Sequence, residues 1–251
     1  MIGTRPVKKG SAELRKKGMA ELAVLRATRK TRRLVTGDFK KTVYGTAAIR
    51  TKLWKLQYEK CCYCERYYER KHADVEHFRP KTEAVRSAGT GPDEGYWWLA
   101  YDIDNLYFAC PNCNRPKNTN FPLEKAPPLA PEDHPRVVKE WPTLLEPRHD
   151  PVEDHLTFER LPNGKLQIAP RHGSNRGAET IRILGLDRDD LTSLRNKHYR
   201  MHLQSVIRRF RSPDHATVRA RVVSDAKKLA AAYAEYALLA RVLFRAANIP
   251  I

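Results

Sequence analysis

Two Cys-x-x-Cys pairs, Cys61 with Cys64 and Cys110 with Cys113, bracket a stretch dense in histidine, asparagine and aromatic residues. Four thiolates carried on two tight turns suit the tetrahedral all-sulfur shell of structural zinc, whose closed coordination leaves no position for Lewis-acid chemistry. Forty-five residues lie between Cys64 and Cys110, so the ion would staple both ends of an inserted unit, and its role would be folding. The competing reading is free cysteines without metal. Cys62 points elsewhere in a knuckle turn and is expected to be a buried bystander. Five clustered cysteines are too few for a disulfide framework.

Between the pairs, Asp74-Val75-Glu76-His77-Phe78-Arg79-Pro80-Lys81 alternates like a short strand ended by proline. Glu76 beside His77 offers a hard oxygen ligand and a nitrogen base that can take a proton near neutral pH. A Glu-His pair alone is weak, because a lone histidine among aromatics is more often structural. The segment from Asp104 to Asn118 adds weight: Asn105, an apolar strand, the second Cys pair, then Asn114, Arg115 and Lys117, in fixed order.

Taken together, residues 61 to about 121 resemble the HNH (ββα-metal) endonuclease family. Its pattern is Cys-x-x-Cys, an acidic-His pair, Asn-Leu, then Cys-x-x-Cys followed at once by His or Asn and a nearby Lys. Within that family the chain is most similar to the HNH components of Septu-type and retron-associated anti-phage defence systems. The phrases carrying this are Val75–Lys81, Gly95-Tyr96-Trp97-Trp98-Leu99-Ala100-Tyr101-Asp102, Asp104-Asn105-Leu106, Asn114-Arg115 with Phe121-Pro122-Leu123, and Thr180-Ile181-Arg182-Ile183-Leu184-Gly185-Leu186. The resemblance implies an α+β fold: a central ββα-metal core with a Cys₄ zinc clamp, flanked by N-terminal basic helices and C-terminal helices. It implies His77 as general base, Asn105 as a brace for the loop between two strands, and Glu76 with Asn114 holding a catalytic Mg²⁺ or Mn²⁺. Arg79, Lys81, Arg115 and Lys117 become candidate phosphate contacts, each of which reads equally well as solvated charge. Trp97, Trp98 and Tyr101 would stack bases or, more simply, pack the inserted segment. The chain departs from the pattern twice, with Glu76 for the common Asp and Asn114 for His. The longer Glu76 needs compensation from backbone or water, whereas the Asn114 carbonyl suits a hard cation better than zinc. Also implied is an ABC/SMC-like ATPase partner. DNA and structured RNA both remain open as targets, and a zinc-knuckle nucleic-acid-binding module without catalysis stands as the alternative.

The elements that must position these residues begin with a basic N-terminal region. Residues 1–60 hold seventeen Lys and Arg against four acidic residues, so most of the net charge of +18 lies in under a quarter of the chain. That asymmetry suits a polyanion, because phosphate neutralisation releases counterions; a solvated face is the plain alternative. A basic helix is expected from Ser11 to about Leu34, a break over Lys40–Gly45, and a helix from the cap-like Thr46 with Ile49, Leu53 and Leu56 on one face. Domain organisation then reads as a basic helical arm (1–60), the nuclease core (61–125), and a Pro-rich connector, hairpin and helical region (126–251). Connector prolines run from Pro122 through Pro127, Pro128, Pro131 and Pro135 to Pro142. His155–Glu159 and Lys165–Ile168 suggest a hairpin, and helices follow from Asp187. A last helix of about 214–246 carries a seam at Val222, Ala226, Leu229, Tyr233, Tyr236, Ala240 and Leu243. With 41% hydrophobic residues, one sizeable core can form. No signal-type or spanning apolar run is seen, so a soluble, cytoplasmic protein is expected.

Overall fold

Alanine, leucine, lysine and arginine dominate residues 12–29, and in the computed structural model, which describes residues 12–87, 91–124, 140–212 and 216–251, they form helix α1 (Ala12–Arg29). The helix stops short of the expected Leu34. Thr28 and Thr31 turn their hydroxyls onto the carbonyls of Val24 and Thr28, at 3.0 and 2.8 Å, which competes with helix propagation. Leu14, Gly18 and Leu25 face inward. Gly18 is required there, because a Cβ would fall 2.6 Å from Cβ of Tyr101. The basic helix is therefore docked on the core. The first eleven residues of the expected arm lie outside the described residues.

Where a break was expected over Lys40–Gly45, a single helical turn α2 (Lys41–Tyr44) forms and buries Val43 and Tyr44. Helix α3 (Ala47–Leu56) starts where Thr46 Oγ1 accepts from Ile49 N at 3.2 Å, and it buries Ile49 and Leu53. The chain then enters the first Cys-x-x-Cys turn and strand β1 (Asp74–His77). A short ribbon of β2 (Glu83–Ala84) and β3 (Asp93–Glu94) follows, then β4 (Leu106–Ala109) and helix α4 (Pro111–Lys117). Strands β1 and β4 pair antiparallel, with Glu76 opposite Tyr107 and His77 opposite Leu106. Pro111 opens α4, where its missing N–H costs nothing. Asn118 ends it in the left-handed region, at φ 44°.

Beyond the second Cys pair, α5 (Val152–His155) leads into the hairpin of β5 (Leu156–Arg160) and β6 (Leu166–Pro170). Helix α6 (Asn175–Leu184) packs on β6 and α4. Helices α7 (Asp189–His198) and α8 (Gln204–Arg211) are joined through a π-helical turn, Tyr199–Leu203. Pro127, Pro128, Pro131 and Pro135 of the expected connector lie outside the described residues. Its two flanks meet, with Thr143 N donating to Pro122 O at 2.9 Å.

The expected single C-terminal helix is two, α9 (Ala216–Ala230) and α10 (Ala237–Ala246), because Tyr236 adopts a left-handed backbone, at φ 51°. The carbonyls freed by the break are satisfied from around the first Cys-x-x-Cys turn: Lys60 Nζ donates to Ala232 O and Ala234 O at 2.6 Å each, and Tyr67 OH to Tyr233 O at 2.9 Å. A contiguous set of buried side chains runs from Leu14 to Ile249. The result is a mixed α+β fold with three two-stranded sheets among the described residues. No described helix is long and apolar enough to cross a membrane.

Candidate active site

The sulfur atoms of Cys61, Cys64, Cys110 and Cys113 lie within 4.8 Å of one another, and all four side chains are buried. Zinc–sulfur bonds of about 2.3 Å at tetrahedral angles place sulfurs about 3.8 Å apart. Cys64 and Cys110 stand 3.8 Å apart. The four cysteines can therefore hold a metal ion such as zinc. The Cys113 thiol is pushed well up by its bonds with Cys110, Cys61 and Cys64, whereas Cys61, buried but receiving hydrogen bonds from its neighbours, is held well below its ordinary value. A cation at the centre removes the penalty at Cys113. Two donors already face the sulfurs: Cys110 N points at Cys61 Sγ at 3.3 Å and Arg188 Nη1 at Cys113 Sγ at 3.7 Å. Cys62 is buried outside the cluster, its N–H on Phe108 O at 3.0 Å.

The β1–β4 pair and α4 bring Glu76, His77 and Asn114 to one cavity of about 430 Å³, which Lys81, Arg115 and Thr36 also line. His77 is buried, and its Nε2 lies 2.9 Å from Ala100 O. A carbonyl only accepts, so Nε2 carries the proton and Nδ1 keeps the free lone pair. Burial, with Lys81 nearby, holds the imidazole pKa well below its ordinary value, so the ring is neutral. Tyr44 meets it edge-on at 4.7 Å between ring centres. The site thus presents a fixed neutral nitrogen base.

Glu76 is also buried, with Oε1 2.6 Å from Lys117 Nζ and 3.3 Å from Tyr63 OH. Burial pushes its carboxyl pKa up, against the pull of Lys117. Lys117 is 0% exposed and donates a second bond to His77 O at 3.0 Å. The expectation of Lys117 as a phosphate contact is therefore corrected: its ammonium is committed to Glu76. Asn114 donates its side-chain N–H to Asp74 Oδ2 at 2.9 Å, which leaves its carbonyl oxygen available.

Asn105 does not line this cavity. Its Oδ1 accepts from Arg79 N at 2.8 Å, and its Nδ2 donates to Arg79 O at 3.0 Å and Leu99 O at 3.3 Å. It grips the backbone at the exit of β1, two residues before Lys81. Arg79 itself stacks over Phe78, Tyr96 and Phe121 and reaches Glu140 at 3.5 Å, which takes it away from the cavity. Lys81 lies over the rings of Tyr44 and Phe39, at 5.3 and 5.7 Å, with its pKa lowered by burial, while Arg115 is exposed at the rim. Trp97, Trp98 and Tyr101 are buried, so the packing reading holds and bases cannot stack on them as placed. A larger cavity of about 580 Å³ beside Asn105 is lined by Asp102, Asp104, Glu124, Glu140, Glu146 and Asp150, among others. Arg79, His149 and Arg176 line it too, and Arg79 and Arg176 pair with Glu140 and Asp150, so its carboxylates are partly neutralised.

Sequence reasoning missed three participants. Asp74 was legible, because period-two alternation puts it on the face of Glu76. The Ala100 carbonyl had no signal, since every residue carries one. Tyr63 lay hidden inside the first Cys-x-x-Cys turn.

The chain is homologous at modest identity to two Septu proteins of Bacillus mycoides (strain KBAB4). Septu protein PtuB is 32% identical over 179 residues, which cover 69% of this chain and 58% of PtuB. Septu protein PtuA is 27% identical over 141 residues, covering 56% of this chain and 19% of PtuA. The chain thus spans little more than half of PtuB and about a fifth of PtuA. No family model and no solved structure matches the chain.

Proposed function

We propose that this chain is an HNH-type, divalent-cation-dependent phosphodiesterase acting on nucleic acid as part of a Septu-like anti-phage defence system. The observation that carries the reading is the neutral imidazole of His77, fixed through Nε2 to Ala100 O at 2.9 Å and lining one cavity with Glu76 and Asn114. The paired strands β1 and β4, followed directly by α4, give the strand–strand–helix order that the family resemblance implies. Homology to PtuB and PtuA supports the defence setting and a second protein as partner, for which the resemblance implies an ABC/SMC-like ATPase.

In this reading His77 Nδ1 takes a proton from a water as the water oxygen bonds to the phosphorus and the bond to the leaving 3′ oxygen breaks. The Ala100 carbonyl holds the ring in the one tautomer that can do so. Glu76 and Asn114 offer a carboxylate and an amide oxygen to one cavity, a donor set that suits a hard cation. A Mg²⁺ or Mn²⁺ ion held there supplies charge neutralisation at the phosphate and its leaving oxygen. Lys81 and Arg115 attract the phosphate backbone, and the docked basic helix α1 extends that attraction without reading sequence.

The test is cleavage of plasmid DNA and of total RNA in Mg²⁺, with and without EDTA and with the partner present. His77→Ala should retain zinc content, fold and nucleic-acid binding while cleavage falls by roughly 10²–10⁴-fold. Normal cleavage by His77→Ala would remove the nuclease assignment and leave the zinc-knuckle binding module in its place.

A further inference from the structure

Two demands meet on the carboxylate of Glu76. It lines the cavity with His77 and Asn114, where a divalent cation needs its lone pairs. Yet a full positive charge, the Lys117 ammonium, already sits 2.6 Å from Oε1. A fully buried ammonium needs a partner for its charge, and here the Glu76 carboxylate supplies it. A cation approaching the same oxygen meets that charge at close range in a poorly hydrated site, where repulsion is strong. The ammonium also has a second anchor, the His77 carbonyl at 3.0 Å.

We propose that Lys117 is a built-in counter-ion for Glu76 which a divalent cation displaces, its ammonium withdrawing onto the His77 carbonyl. The inference rests on the reading of this cavity as a divalent-cation site. Lys117 is then a positioning residue. It holds Glu76 and the end of β1 in place when no cation is bound, and it keeps the cavity's own cation affinity low. A substrate phosphate brings the negative charge that lets ammonium and cation remain together, so cation uptake is coupled to the arrival of nucleic acid.

The test uses zinc-replete full-length protein without nucleic acid. Mn²⁺ binding is read by the loss of free-Mn²⁺ paramagnetic resonance signal and by the shift of melting temperature with added Mn²⁺. Wild type should bind weakly. Lys117→Met should bind at least tenfold more tightly and gain more in melting temperature. Glu76→Gln should lose the site. The double variant Glu76→Gln with Lys117→Met, a neutral pair of similar volume, should fold without responding to Mn²⁺. Should Lys117→Met fail to fold, Lys117→Gln, which can still donate an uncharged N–H to Glu76, carries the same comparison. If the lysine variant binds Mn²⁺ no better than wild type while Glu76→Gln abolishes binding, the counter-ion role is overturned and the cation site stands. If folded lysine variants bind no Mn²⁺ at all, the cation site and this proposal fall together.

Discussion

Asn105 is a residue whose whole effect can be worked from three hydrogen bonds. It is 5% exposed and sits beside the exit of β1, where its amide accepts from Arg79 N at 2.8 Å and donates to Arg79 O at 3.0 Å and Leu99 O at 3.3 Å. Asn105→Ala leaves the N–H and the carbonyl of Arg79 without a partner, whereas Leu99 O keeps the bond from Asp102 N at 3.2 Å. At about 1–3 kcal/mol per buried unsatisfied group, and taking the low end because Arg79 is only partly buried, the cost is about 2–4 kcal/mol. That is a large part of the roughly 5–15 kcal/mol that holds a domain folded. Asn105→Asp separates bonding from volume. One oxygen still accepts from Arg79 N, but the other now faces the carbonyls of Arg79 and Leu99, acceptor against acceptor. At pH 7 it should cost about as much as the alanine variant, and near pH 4 it should recover part of that loss as the carboxyl protonates and can donate.

The measurement is urea unfolding followed by tryptophan fluorescence at both pH values, beside cleavage assays. Activity should fall with the stability of the loop carrying Pro80 and Lys81, and cooling should restore it in part. Wild-type stability of Asn105→Asp at pH 7 would refute the argument from paired bonds. Lost cleavage at full stability in Asn105→Ala would instead place the amide on substrate.

Two further outcomes follow from the same geometry. Purified protein should carry about one tightly held zinc per chain, and Cys110→Ser should yield unfolded or insoluble protein; a folded, metal-free wild type, shown by metal analysis and circular dichroism, would remove the clamp. Burial pushes the Glu146 carboxyl from 4.5 up to about 7, so the folded state holds a proton that the unfolded state releases. Its contribution is therefore fully present below about pH 4.5 and lost as pH rises through about 7, and Glu146→Gln should be more stable than wild type at pH 8, by at most about 3 kcal/mol, with little gain at pH 4.5. Equal unfolding midpoints at pH 8 would contradict it.

Much of this architecture is local and was readable as such. Thr46 capping α3, Pro111 opening α4 and the alternation that makes β1 each act within a few residues of themselves. The two Cys-x-x-Cys turns converge because their spacing and chemistry leave few other uses for them. What could not be read depends on contacts across the fold. The continuous apolar seam of 222–243 predicts one helix, but Lys60, more than 170 residues away, satisfies the carbonyls of a break that no local residue announces. Lys117 looked like a surface cation because lysine usually is one. Only the packing of α4 against β1 places it on Glu76.

The clamp and the candidate catalytic cavity share their elements. Cys110 follows β4 and is the N-cap of α4, Cys113 immediately precedes Asn114, and Tyr63, between Cys62 and Cys64, reaches Glu76 at 3.3 Å. Cys62 N–H binds Phe108 O, next to the residue opposite Glu76. On the proposed reading, a chelator that strips an ion from the four cysteines should therefore dismantle the positions of Glu76 and Asn114 along with the fold, and inactivation by that route would say nothing about chemistry. On the same reading the two metals would separate by rate and reversibility. Mg²⁺ bound through a carboxylate and an amide exchanges readily, whereas an ion enclosed by four buried thiolates leaves only when the protein opens. Brief EDTA treatment reversed by Mg²⁺ thus reports on the cavity, and slow loss that Mg²⁺ cannot reverse reports on the clamp.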